Sequence, residues 1–321
     1  MTLEKFTELL TLYERGKIPT YTEIIIGLPG ETYESFCSGI GQLFEAGQHT
    51  SVIVNNCDLL VNTALASVES IEKYGIKKVS AAFSKEHCEV FPNEVQEFSD
   101  IIIATNTMEN QMWVKAKLFS LFAQALHCMG LLRYFAVFLF YEKKINYADF
   151  YLQLVESFEI SENSLCRQIY SDMKNRLERF SANGNALHFV DSRFGNITWP
   201  LEEGIFLELV SKSEEFFADV NNFLLSFEIE ADIYYDLMKY QRNIVKLPGE
   251  TNFDIELKYD FYRYFSSIFL NSYKPLEKIK NIIHVNDSNP ASGWKDFARE
   301  IVWYGRKSSR NVYTDIRVKY V

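Results

Sequence analysis

The sequence predicts an α/β segment followed by a mostly helical one, with a soft boundary near Val79 that divides residues 1–79 from 80–321. Three observations carry this. Ile24 to Ile26 form a short β-branched run, of the kind found in a parallel strand buried on both faces, and Gly27, Pro29 and Gly30 end it abruptly. A second such run, Val52 to Val54, follows one helical pattern later. Beyond Thr107 the apolar residues recur mainly with helical period.

From Thr2 to Arg15, the residues Leu3, Phe6, Leu9, Leu10 and Tyr13 share one helical face, and Gly16 ends the pattern before Pro19. That helix leads straight into the Ile24 strand, so the chain is expected to open within a βα repeat. Glu31-Thr32 then offers a capping hydroxyl and an acidic first turn to a helix from about Tyr33 to Ala46. Gly47 suits the helix end, and His49 to Val54 reads as the next strand. Leu59 to Ala66 carries the chain over the carboxyl end of that strand, the end where α/β folds bind ligands.

The segment Tyr74 to Val79 reads as a connector, with strand-like stretches after it at Glu89 to Phe91 and Asp100 to Ile103. Helices are expected over Gln111–Met129, Leu131–Glu142, Tyr147–Phe158, Ser161–Ala182, Glu202–Leu225, Ala231–Ile244 and Ala291–Tyr304. Among them, strands are expected at Leu187–Val190 and Phe253–Phe265. Leu-Pro-Gly-Glu-Thr recurs at Leu247 to Thr251, but its flanks differ from the first copy, so it reads as a Pro-Gly turn before a strand.

The 321 residues are 47% hydrophobic and 24% charged, proportions of a globular protein, and a formal net charge of -10 argues against nucleic acid or an anionic membrane as partner. From Lys295 onward the balance turns basic, which reads as a solvated face. Leu118 to Tyr141 is apolar enough to invite a membrane reading. Gln124, His127 and Arg133 within it, and a break at Met129-Gly130, instead suggest a buried helical hairpin. The five cysteines, at 37, 57, 88, 128 and 166, are too irregularly spaced for a disulfide framework. With no apolar leader, the chain is expected to be cytoplasmic.

Thr22-Glu-Ile-Ile-Ile-Gly-Leu-Pro-Gly-Glu-Thr32 resembles the fifth barrel strand of radical SAM proteins. Tyr33-Glu-Ser-Phe36, Glu45-Ala-Gly-Gln-His49 and Asn56-Cys-Asp-Leu-Leu-Val-Asn-Thr63 are similar to the subgroup with a cobalamin-binding domain, although Val61 stands where that pattern has Pro. Ala104-Thr-Asn-Thr-Met108, Gln124-Ala-Leu-His-Cys-Met-Gly130 and Phe297-Ala-Arg-Glu-Ile-Val-Trp-Tyr-Gly-Arg306 extend the resemblance over most of the chain. It implies a remnant of a partial (βα)6 radical SAM barrel, its last two strands, followed by a predominantly helical carboxyl-terminal domain. The Cys-x-x-x-Cys-x-x-Cys motif that holds the family's cluster is absent from the sequence.

By this resemblance, S-adenosylmethionine is the expected ligand, and the 4Fe-4S cluster and cobalamin belong to an amino-terminal half on the same or a separate chain. Glu23 could accept hydrogen bonds from two ribose hydroxyls, or be an exposed carboxylate at a strand start. Gly27 could let adenine approach the backbone, or serve the turn alone. Cys57 and Asp58 lie where the family's sixth strand meets adenine, though a Cys in that setting also reads as a small buried hydrophobe. No catalytic residue and no metal ligand is expected, since the His87-Cys88 and His127-Cys128 pairs lack chelating spacing.

Nucleotide-hydrolase, esterase and zinc-protease motifs are missing. The expected function is therefore the carboxyl-terminal portion of a cobalamin-type radical SAM enzyme, inactive alone. The alternatives are a non-catalytic binding module derived from that family, or an unrelated helical protein.

Overall fold

The computed structural model describes residues 2–83, 85–89, 95–308 and 311–321. Helix α1 (Leu3–Arg15) begins where Thr2 accepts a hydrogen bond from the Lys5 amide. Strands β1 (Thr22–Ile26) and β2 (Val52–Asn56) pair in parallel, with Glu23 opposite Ile53 and Ile25 opposite Asn55. Their crossover is α2 (Tyr33–Glu45), started by the expected Thr32 cap, which exchanges hydrogen bonds with Ser35 in a capping box.

β1 departs from the expected burial on both faces. Ile26 is fully buried and Ile24 partly so, whereas Glu23 and Ile25 are exposed. Among the described residues no third strand pairs with β1; one face of the sheet packs into the core and the other stays open. β2 also sits later than the expected span of His49 to Val54.

α2 crosses α6 (Tyr147–Ile160) at Gly41, where an added Cβ would lie 2.9 Å from the Ala148 Cβ and 3.0 Å from its amide nitrogen. Gly41→Ala is therefore expected to destabilise the fold by about 1–3 kcal/mol through overpacking, read as a lower melting temperature.

After α3 (Val68–Tyr74), the expected connector is in fact a strand, β3 (Lys77–Ala82), and Val79 lies inside it, paired with Ile101 of β4 (Phe98–Ala104). β3 is poorly marked because only Ala81 is buried; its antiparallel partner β4, with the buried run Ile101–Ile103, holds it in place. Of the strand-like Glu89 to Phe91, only Glu89 is described, and it bridges Ile197; the rest lies outside the described residues. Asp58 forms an antiparallel bridge with Ile101, which joins the end of β2 to β4.

The apolar stretch is a buried hairpin, as expected. α4 (Asn110–Ala123) runs on through a π turn at Gln124–Cys128 and bends by 91° into α5 (Arg133–Lys143). Gly130 makes the corner with φ +93, and a side chain there would meet Val312. Among the described residues no single helix is long and apolar enough to cross a membrane.

Around this hairpin pack α6, α7 (Leu165–Asn183), α8 (Leu201–Ser211), α9 (Ser213–Leu225) and α10 (Ala231–Ile244). The single helix expected over Glu202–Leu225 is two, because Lys212 adopts a non-helical φ of -125 and ψ of 41. The strand expected at Leu187–Val190 reduces to one bridge between Phe189 and Trp199.

The second Pro-Gly turn does lead into a strand, β5 (Asn252–Leu257), but the expected strand to Phe265 stops there. Asp260 caps α11 (Phe261–Phe269), whose Phe261, Tyr264, Phe265 and Ile268 form a buried helical stripe. β6 (Asn281–Asn286) and β7 (Ile316–Tyr320), neither of them expected, complete an antiparallel three-stranded sheet with β5. Between them, α12 (Trp294–Phe297) passes into a π turn at Ala298–Trp303. One hydrophobic cluster takes in Ile26, Phe44 and Val54 together with residues of α4 to α11, so the mixed α/β start and the helical region share a core.

Candidate functional site at the carboxyl end of the parallel strands

The open face of β1 and β2 presents Glu23, Ile25, Ile53 and Asn55, neighbours fixed by strand register and two-residue alternation. The Asn55 amide donates to Glu23 at 3.4 Å, the carboxylate's sole hydrogen bond to a described residue. At the carboxyl ends, Gly27, Cys57 and Asp58 come together because the Cys57 amide donates to the Ile26 carbonyl at 3.1 Å. Glu23 stands near the start of β1, two pleat repeats before Gly27 on the same sheet.

These four positions differ in what they can offer. Gly27 has φ +96, and a side chain there would meet the Ile102 carbonyl at 3.1 Å and Trp113 at 3.4 Å, so turn geometry and close packing both require glycine. Cys57 is buried; its amide is taken by Ile26 and its carbonyl accepts from the Ile102 amide at 2.9 Å. Burial, then the charge of Asp58, raise its thiol above the ordinary range. Asp58 is exposed, and its carboxylate is free among the described residues.

Beside this face lies a cavity of about 560 Å³, lined by Ile53, Asn55 and Asn56 of β2 and by charged residues that sequence reasoning missed. Arg306 anchors it: Nη2 lies 2.8 Å from Glu202 Oε1 and Nη1 3.0 Å from Glu203 Oε1, and Nη2 also donates to Gln124 at 2.9 Å. His87 Nε2 takes the other Glu203 oxygen at 2.7 Å, while its ring stacks on Trp303. The buried Lys117 ammonium donates to the Val54 carbonyl at 2.8 Å.

Burial alone would lower the Arg306 pKa, but Glu202 and Glu203 outweigh it and raise it. Burial likewise favours a neutral Glu202, and Arg306 and Lys117 overcome that and lower its pKa. Lys117 is lowered, burial prevailing over Glu202 and Glu86. Glu86 is exposed as a residue, yet its carboxyl is crowded by protein; that desolvation, then Glu202 and Glu203, push it up to about 7.

An iron-sulfur cluster does not fit the four buried thiols, Cys37, Cys57, Cys128 and Cys166. Burial is the leading cause in each case: it pushes Cys37 up to about 12 and Cys128 to about 11, and raises Cys57 and Cys166, disfavouring the thiolates that bind iron. Among the described residues no three His, Cys, Asp or Glu side chains converge as a metal site. His127, one of the paired motifs, instead bonds His49 and Tyr151, each at 2.9 Å.

No protein-family model matches the chain. It is 34% identical over 173 residues, 54% of its length, to the cobalamin-dependent radical SAM methyltransferase TokK of Streptomyces tokunonensis. It is 33% identical over 172 residues to the 2-(S-pantetheinyl)-carbapenam-3-carboxylate methyltransferase of Streptantibioticus cattleyicolor. Each match takes in 25% of the relative, so the chain spans about a quarter of the curated proteins it resembles. Over just over half its length, the chain is thus a partial relative of the cobalamin-dependent radical SAM methyltransferases.

Proposed function

We propose that the chain is the carboxyl-terminal portion of a cobalamin-type radical SAM methyltransferase, and that β1 and β2 are the last two strands of its barrel. The observation that carries the reading is the open face bearing Glu23, on the one parallel pair among the described residues. In this reading the Glu23 carboxylate, oriented by Asn55, accepts both ribose hydroxyls of S-adenosylmethionine. Asp58 meets the adenine edge; Gly27 and Cys57 shape the strand ends behind it, the Cys57 backbone being engaged by Ile26 and Ile102.

Cluster and cobalamin would be supplied by an amino-terminal half, and the isolated chain would not cleave S-adenosylmethionine. Support for such a partner comes from the outer edge of β1, unpaired among the described residues, and from exposed Leu12, Ile18, Ile25 and Leu28 nearby. A parallel strand from the missing half would pair with that edge.

The test is titration of S-adenosylhomocysteine into the 321-residue chain. Binding is expected, about tenfold weaker in Glu23→Gln, with no change in melting temperature. Equal binding by Glu23→Gln, or none by either protein, would remove the ribose assignment. Anaerobic iron-sulfur reconstitution should leave the isolated chain without a cluster absorption band; a band together with 5′-deoxyadenosine would overturn the division of labour.

A further inference from the structure

The charged cavity beside β2 goes beyond this reading and does not depend on it. Its guanidinium is already paired. Both terminal nitrogens of Arg306 are engaged by Glu202, Glu203 and Gln124, and Lys117 bonds the Val54 carbonyl in the fields of Glu202 and Glu86. Lys307 at the rim sets its ammonium 4.0 Å from the centre of the Tyr21 ring.

Two acceptors in the cavity have no partner of their own. Glu86 forms no ion pair or hydrogen bond with a described residue. Asn56, which also lines the cavity, has a buried Oδ1 without a partner. A ligand entering here meets acceptors that lack donors. The remaining walls are apolar or aromatic, from Leu121, Leu187, Leu201, Trp303 and Tyr304, which suits an organic body over a bare ion.

We propose that this cavity binds an organic cation, a primary ammonium or a guanidinium on a small apolar body, whose donors pair with Glu86 and Asn56 while the body lies against the Trp303–Tyr304 wall. Glu86 faces Glu202 and Glu203 from α8, His87 from its own segment, Arg306 from the segment after the last π turn and Lys117 from α4. Of these groups, the two neighbouring carboxylates oppose ionisation of Glu86, and a cationic ligand would relieve that repulsion.

The probes are benzylammonium and its anionic counterpart benzoate, each titrated into the chain and followed by saturation-transfer NMR. Benzylammonium is expected to bind at pH 8 and to weaken by up to about tenfold at pH 6, as Glu86 takes up a proton. Glu86→Gln should weaken it by a similar factor, about tenfold, with an unchanged melting temperature because the residue is exposed. Benzoate should not compete. Tighter binding of benzoate would reassign the site to anions held by Lys117. Binding insensitive to both pH and Glu86→Gln, or no binding of benzylammonium, would overturn the proposal. S-adenosylhomocysteine binding at Glu23 is read separately, so either result stands without the other.

Discussion

Arg306→Met is expected to remove about 3–5 kcal/mol of stability, because it leaves two carboxylates in protein surroundings without their counter-charge. Glu203 is 1% exposed and Glu202 12%, and both bond the same guanidinium. Gln124 loses a donor as well. Urea unfolding at pH 7.5 measures the loss. The triple variant Arg306→Met, Glu202→Gln, Glu203→Gln should recover most of it, since neutral amides need no cation. A loss below about 1 kcal/mol in the single variant would mean that water solvates the carboxylates despite their position.

Acidification is expected to unfold the protein earlier than its surface charges alone would. Burial, then Arg133, lower the His49 pKa from the ordinary 6.5 to about 3. Burial, His49 and Arg133 hold His127 well below the ordinary value too. Both rings are therefore neutral in the folded protein, while the unfolded chain takes up protons below about pH 6.5. The stability they contribute is full above that pH and is lost as pH falls toward 3. Each ring contributes a loss of about 1.4 kcal/mol per pH unit, or about 4 kcal/mol for the pair at pH 5. Glu86, with its raised pKa, acts in the opposite direction. Comparing the pH dependence of unfolding with that of the double variant His49→Gln, His127→Gln isolates the histidine part: the variant's stability should no longer fall between pH 6.5 and 5, and should rise there as the folded protein keeps the Glu86 proton. An unchanged slope would show that the rings are charged or solvated in the fold.

Sequence patterns foretold elements whose signal is local. Thr32 caps α2 because a hydroxyl at that position meets the Ser35 amide three residues on. The hairpin of α4 and α5 was legible because His127, Arg133 and Gly130 interrupt an otherwise apolar run. What escaped depends on partners distant in sequence. β3 has a single buried residue and owes its extended form to β4, and β6 alternates Ile283 and Val285 inward but sits among turn-forming residues. In α11 the same aromatic residues fit alternation and helical period about equally, and Asp260 decided between them by capping.

The candidate site divides along the same line. Glu23 and Gly27 stood out because a strand and a sharp turn adjoin in one short stretch. Glu86, Lys117, Glu202, Glu203 and Arg306 carry no shared motif and meet only in three dimensions. The paired signal that invited a metal reading, His127-Cys128, turned out to serve a chain of ring hydrogen bonds with His49 and Tyr151.

Arg306 donates to Gln124 across 182 residues of sequence. A ribosome making this chain releases Gln124, Glu202 and Glu203 before Arg306 exists, Glu203 by 103 residues, so over that interval the two acids have only His87, Lys117 and water to face them. Their desolvation is deferred until the residues that follow α12 emerge and dock. Contacts spanning so much chain form slowly, because the intervening loop must be ordered first. A nascent protein stalled short of Arg306 would thus present an acidic, hydrated gap beside β2 where the finished one has a wall.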